Sequence, residues 1–146
     1  MPTYILKTSN LKLNIKKKNK IAKEITKEHN KITGANSYFV QVIFEENIKK
    51  NHFMGGKIVN DKQIFLYGHI RDGRTKKIKK KLIIRLRDSI VKSSKVKKDK
   101  VWIYLLELIP KQMIEYGEVL PKSGREIQWF NSLPKLLQKK LKKIDE

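Results

Sequence analysis

Two of the chain's five arginines, Arg71 and Arg74, flank one Asp-Gly turn in the stretch GHIRDGRTKK, whereas lysine carries almost all the other positive charge. A guanidinium offers a planar fork that holds a carboxylate through two hydrogen bonds, which an ammonium cannot reproduce. If a strand ends near Ile70 and a helix begins near Arg74, both forks stand beside the backbone donors of a helix N-terminus, a setting that favours an anion. The pair is a candidate carboxylate clamp. The competing reading is a solvated surface turn in which Asp72 caps the helix.

Four further residues have types that could do chemistry. His29 falls on an apolar stripe with Ile21, Ala22, Ile25 and Ile32, where a histidine serves either as a hydrogen-bonded core residue or as a ligand to substrate. Glu115 lies in the mostly apolar run QMIEYG, and a carboxyl with apolar neighbours is drawn toward the neutral range that suits a general base. Tyr104 falls within VWIYLLEL, a strand expected to be buried. Pro2 follows an initiator methionine that is commonly removed before a small residue, which would leave a secondary amine titrating near pH ~8 when unperturbed. Met-Pro also starts many proteins with no chemical consequence. His52 and His69 offer less.

Composition narrows the classes. The chain has 146 residues, 39% of them hydrophobic, enough for one compact domain with a real core. With no cysteine, a disulfide framework, a thiolate metal site and a cysteine nucleophile are excluded, and the three histidines have no zinc-like spacing, so no metal cofactor is expected. The N-terminal MPTYILKTSNLKLNIKKK has no apolar run suited to a signal peptide or membrane span, and the expected location is the cytoplasm. A formal net charge of +21 invites a nucleic-acid or anionic-membrane reading. The lysines are spread over both predicted helices, the connections and the tail, which favours a solvated surface over a dedicated nucleic-acid groove.

The elements that must position these residues repeat. TYILK (Thr3 to Lys7) reads as a strand, Ile15 to Ile32 as a helix closed by Gly34, and Tyr38 to Glu46 as a second strand. About sixty residues later the order recurs: a strand from Gln63, a helix from Thr75 to Val91 with Ile78, Leu82, Leu86 and Ile90 inward, and a strand from Val101. Two tandem βαβ units, 2–60 and 61–110, predict an α+β domain with a four-stranded sheet and two helices on one face. Residues 111–146 are expected to form a hairpin or hooked arm turning at Leu-Pro-Lys-Ser-Gly, then a short amphipathic helix from Pro134.

Taken together, Pro2 before a strand, two fused βαβ units, GHIRDGR, and VWIY followed by QMIEYG resemble the tautomerase superfamily, specifically its cis-3-chloroacrylic acid dehalogenase subgroup. The resemblance runs from Pro2 to about Phe130. It implies the fold built from fused 4-oxalocrotonate tautomerase-like units, an acid-base role for Pro2, carboxylate binding by Arg71 and Arg74 with His29, and water activation by Tyr104 and Glu115. It further implies cofactor-free hydration or hydrolytic dehalogenation of a small unsaturated carboxylate, with keto-enol tautomerisation alongside, in a homotrimer. Ala35 and Glu118 depart from the subgroup's pattern, which has a hydroxylated residue and an arginine there. A carboxylate beside an anionic substrate weakens binding unless it points away. The alternative from another class is a catalytically weak protein of this fold whose basic surface binds nucleic acid or another anionic partner.

Overall fold

Alternation sets the first strand of the computed structural model, which describes residues 2–145. In β1 (Thr3–Ser9), Tyr4, Leu6 and Thr8 are buried while Thr3, Ile5 and Lys7 are only half-buried, the period-two pattern of a strand with one covered face. Helix α1 (Ile15–Thr33) starts where the Asn14 side chain accepts the N–H of Lys17 at 2.8 Å. It stops at Gly34, whose φ of 72° brings its N–H to the carbonyl of Asn30 at 2.8 Å. Strand β2 (Gln41–Ile48) begins later than expected. Ser37–Phe39 form a 3-10 turn instead, because Tyr38 and Phe39 are drawn into a second apolar cluster with Leu120, Trp129, Leu133 and Leu141 from the C-terminal region.

A short ribbon, β3 (Phe53–Met54) and β4 (Lys57–Ile58), leads into β5 (Gln63–Arg71), helix α2 (Lys76–Ser94) and β6 (Val101–Leu108). Thr75 caps α2 by accepting the N–H of Ile78 at 3.2 Å, a role the sequence reading offered to Asp72. The four long strands lie in the order β2-β1-β5-β6. Each βαβ unit contributes a parallel pair, and the pairs join through an antiparallel seam in which Thr3 faces His69 and Ser9 faces Gln63. That seam has the main consequence for function: the start of β1 meets the end of β5, so Pro2 and Arg71 fall at the same end of the sheet.

Helices α1 and α2 cover one face of the sheet, with Ile21, Ile25, Leu82, Leu86 and Ile90 buried against Leu6, Leu66 and Ile70. The two helices are tied by Arg85, which donates twice to the buried Glu28 at 2.9 Å. Gly68 belongs to the same layer. A Cβ there would stand 2.6 Å from Leu105 Cδ2 and 2.7 Å from Tyr4 Cε1, so only glycine lets the Tyr4 ring lie against β5. The opposite face is uncovered by this chain: Ile43, Trp102, Leu106 and Tyr104 are exposed, Tyr104 to 50%. The buried position expected for Tyr104 is thus corrected, because β6 is an edge strand and alternation turns that side chain away from the helices.

The C-terminal region also differs from expectation. Its hairpin is β7 (Ile114–Glu115) paired with β8 (Glu118–Val119), turning at Tyr116-Gly117, where both residues have positive φ, 56° and 85°. Leu-Pro-Lys-Ser-Gly is a connector into α3 (Glu126–Ser132), and α4 (Lys135–Asp145) follows. Trp129 anchors α3 by donating its Nε1–H to the carbonyl of Val119 at 3.0 Å. Among the described residues no helix is long and apolar enough to cross a membrane.

Candidate active site

Tyr4 points from β1 toward α1, where its hydroxyl lies 2.7 Å from Nδ1 of His29, and both side chains are wholly buried. Burial raises the Tyr4 phenol well above its ordinary value, with Arg74 acting the other way, so the hydroxyl keeps its proton. Burial, reinforced by the Arg74 charge, pushes the His29 imidazole down to about 3, so the ring is neutral at physiological pH. A neutral imidazole that accepts at Nδ1 carries its hydrogen on Nε2. That Nε2 has no hydrogen-bond partner among the described residues. The pair therefore leaves one buried, oriented imidazole nitrogen open near a cation, an N–H donor when Tyr4 donates to Nδ1.

Arg71 is only 3% exposed; its Nη1 donates to the carbonyl of Pro121 at 2.9 Å and its Nη2 is paired with Glu126 of α3. Arg74, half-buried, donates from Nη1 to the Arg71 carbonyl at 2.6 Å. Burial, followed by repulsion from Arg71, lowers the pKa of the Arg74 guanidinium, while Tyr4, Glu126 and Glu107 oppose the shift. These influences place Arg74 electrostatically among Tyr4, His29, Arg71 and Glu126. The solvated-turn reading does not hold, since Arg71 is buried and Thr75 makes the helix cap.

Pro2 is buried at the head of β1, and its carbonyl accepts the N–H of Gln41 at 3.0 Å. Met1, on whose removal an N-terminal proline depends, lies outside the described residues. Glu115 is half-buried and lines a cavity of about 480 Å³ with Thr3, Gln41, Tyr38 and Phe39, next to the same strand end. Tyr104 stands apart. It belongs to an aromatic group with Phe65 and Tyr67 in another cavity of about 380 Å³, its ring 4.9 Å from that of Phe65. One chain thus gathers Pro2, His29, Arg71, Arg74 and Glu115 around one end of the sheet, and leaves Tyr104 on the open face near the β6 edge.

Residues 1–132 match the family described as "Putative oxalocrotonate tautomerase enzyme". The chain belongs to this tautomerase family. Among solved structures it is similar to N1, a member of the cis-3-chloroacrylic acid dehalogenase family, with a TM-score of 0.91 and 28% identity over 97% of this chain and 99% of that one. A fused 4-OT described as a wild-type symmetric trimer matches with a TM-score of 0.74 and 18% identity over 84% of this chain and 99% of that one. Pt0534 inactivated by 2-oxo-3-pentynoate gives 0.74 and 18% over 83% and 97%. No curated protein matches the chain by sequence.

The structure brings to this end of the sheet two residues that sequence reasoning passed over. Tyr4 was visible as an inward position of TYILK, but nothing in the sequence ties it to a histidine 25 residues away. Glu126 gave no signal, since its partner Arg71 is 55 residues distant and the intervening arm could not be placed. Of the two departures, Glu118 is exposed on β8 opposite Glu115, and Ala35 lies just past the α1 cap, its N–H directed to Thr33 Oγ1 at 3.3 Å.

Proposed function

We propose that this tautomerase-family chain is a cofactor-free enzyme that uses the amine of Pro2 for acid-base chemistry on a small unsaturated or enolic carboxylate. The observation that carries the reading is the open, buried Nε2 of His29, held by Tyr4 and set near Arg74 at the end of the sheet where β1 begins; with Tyr4 donating to Nδ1, that nitrogen carries a hydrogen. A buried donor without a partner is costly to maintain. A bound carboxylate or enol oxygen would satisfy it.

Arg74 with His29, assisted by Arg71, holds the substrate carboxylate and draws electron density toward it, which makes C3 electrophilic. Glu115 takes a proton from water as the water oxygen bonds to C3, and the protonated amine of Pro2 delivers a proton to C2. A 3-haloacrylate adduct then loses halide and a proton to give malonate semialdehyde; an acetylenic acid reaches the same aldehyde through its enol. Ketonisation of a 2-oxo acid enol needs the proline and the carboxylate ligands alone. Tyr104 joins this scheme through a homotrimer, in which the apolar sheet face that carries it is buried between copies. The fused 4-OT structure described as a symmetric trimer supports that assembly by likeness of fold.

The test is a proton NMR time course of the Met-free protein with cis-3-chloroacrylate, propiolate and an enolised 2-oxo acid, beside Pro2→Ala. Turnover of the unsaturated acids that disappears in Pro2→Ala supports the hydratase or dehalogenase reading. Activity on the enol alone reduces it to a tautomerase. No turnover of any of the three rejects the enzyme.

A further inference from the structure

Arg71 is more deeply buried than Arg74, yet its fork is already engaged. Nη2 is paired with Glu126, Nη1 with the Pro121 carbonyl, and Nε alone has no partner among the described residues. Glu126 also favours the charged form of Arg74, so its charge acts on both arginines. Its own carboxyl is pushed upward by burial, but the hydrogen bond and charge of Arg71 outweigh that and hold it below the ordinary range, so it is ionised. Glu126 thus offsets one of the two guanidinium charges and occupies the fork of Arg71.

We propose that Glu126 is a specificity-determining residue: by taking the Arg71 fork it leaves Arg74 and the His29 N–H as the substrate's carboxylate ligands, and it sets the seat to accept a monocarboxylate in preference to a dicarboxylate. The inference rests on the carboxylate-binding reading above. A monocarboxylate needs only the fork of Arg74 and His29, which Glu126 leaves free. A second carboxylate on the same small molecule would meet Glu126 instead of an open guanidinium, and in this half-buried setting like charges repel more strongly than in bulk water. The same contact also fastens α3 beneath the site, so a purely structural staple is the alternative to be separated from it.

The separating measurement is calorimetric binding of two saturated, unreactive probes, propionate and malonate, to the full chain at low ionic strength and pH 7, comparing wild type, Glu126→Gln and Arg74→Ala. Wild type should bind propionate more tightly than malonate. Glu126→Gln should bind propionate about tenfold more tightly and shift the malonate-to-propionate preference several-fold further toward malonate. A staple alone predicts weaker binding of both probes with an unchanged ratio, and an unchanged ratio overturns the proposal. If Arg74→Ala binds both probes as well as wild type does, the carboxylate seat itself is wrong and the functional reading falls with the inference. If Arg74→Ala loses binding while Glu126→Gln leaves the ratio untouched, only the role of Glu126 fails. Should Glu126→Gln not fold, Glu126→Asp, with its carboxylate drawn back by one methylene, should move the ratio the same way by a smaller factor, and no movement overturns the proposal equally.

Discussion

His29 should make this protein lose stability on mild acidification. Its folded-state pKa is about 3, against 6.5 for an unperturbed histidine, and the ring is wholly buried, so solvent screening does not reduce the effect. The folded pKa lies below the unfolded one, hence between these values the unfolded chain binds a proton that the folded chain refuses. Stability from this group is full above pH 6.5 and falls as pH drops toward 3, at about 1.36 kcal/mol per unit. From pH 7 to pH 5 the loss is about 2 kcal/mol. His29→Gln removes the titration while keeping an acceptor for the Tyr4 hydroxyl. Urea unfolding of both proteins at pH 7 and pH 5 isolates the effect, since the shared lysine surface cancels in the comparison. Glu28, Glu46 and Glu126, all with lowered pKa, titrate below this window. The wild type should lose about 2 kcal/mol more than His29→Gln over those two pH units. Equal losses would mean that folded His29 ionises normally, and the neutral Nε2–H donor on which the site was built would go with it.

Gly68→Ala should destabilise by about 1–3 kcal/mol, because its Cβ meets Leu105 and Tyr4 inside normal contact distance; thermal melting gives the loss, and a shifted His29 ring signal in NMR shows the strain reaching the site. Arg85→Met leaves the buried Glu28 without its two hydrogen bonds and should cost about 1–3 kcal/mol in a urea titration, while the double change Glu28→Leu with Arg85→Met should recover most of it. Glu115→Gln should abolish water addition to propiolate and spare ketonisation of a 2-oxo acid enol, read in the same NMR assay; loss of both would show that Glu115 supports the fold or the proline instead of the water.

The repeat of strand, helix and strand was legible because its signals are local. Period-two burial in TYILK, the 3.6-residue stripe of Ile21, Ile25 and His29, and Gly34 in the left-handed region are each decided within a few residues of chain. Within one chain the antiparallel seam of β1 and β5 brings Pro2 and Arg71 to a common end of the sheet, a long-range pairing that no local signal in the sequence fixes. The misplaced features were those decided by distant partners. Tyr38 has strand propensity but packs against Phe130 of α3, and the C-terminal hairpin turns at Tyr116-Gly117, where two positive φ angles in succession match the twist of the flanking strands.

By itself, then, the sequence determined the order of elements, their inward faces and the residue types able to bind a carboxylate, because these follow from periodicity and from side-chain chemistry. Tertiary structure alone decided that Tyr4 holds the buried His29 ring, that Glu126 occupies the Arg71 fork and that Tyr104 and Glu115 line different cavities within one chain. The reason is physical: a pKa, a tautomer or a vacant hydrogen bond depends on burial and on neighbours brought from 25 to 55 residues away, and neither exists until the chain has closed on itself.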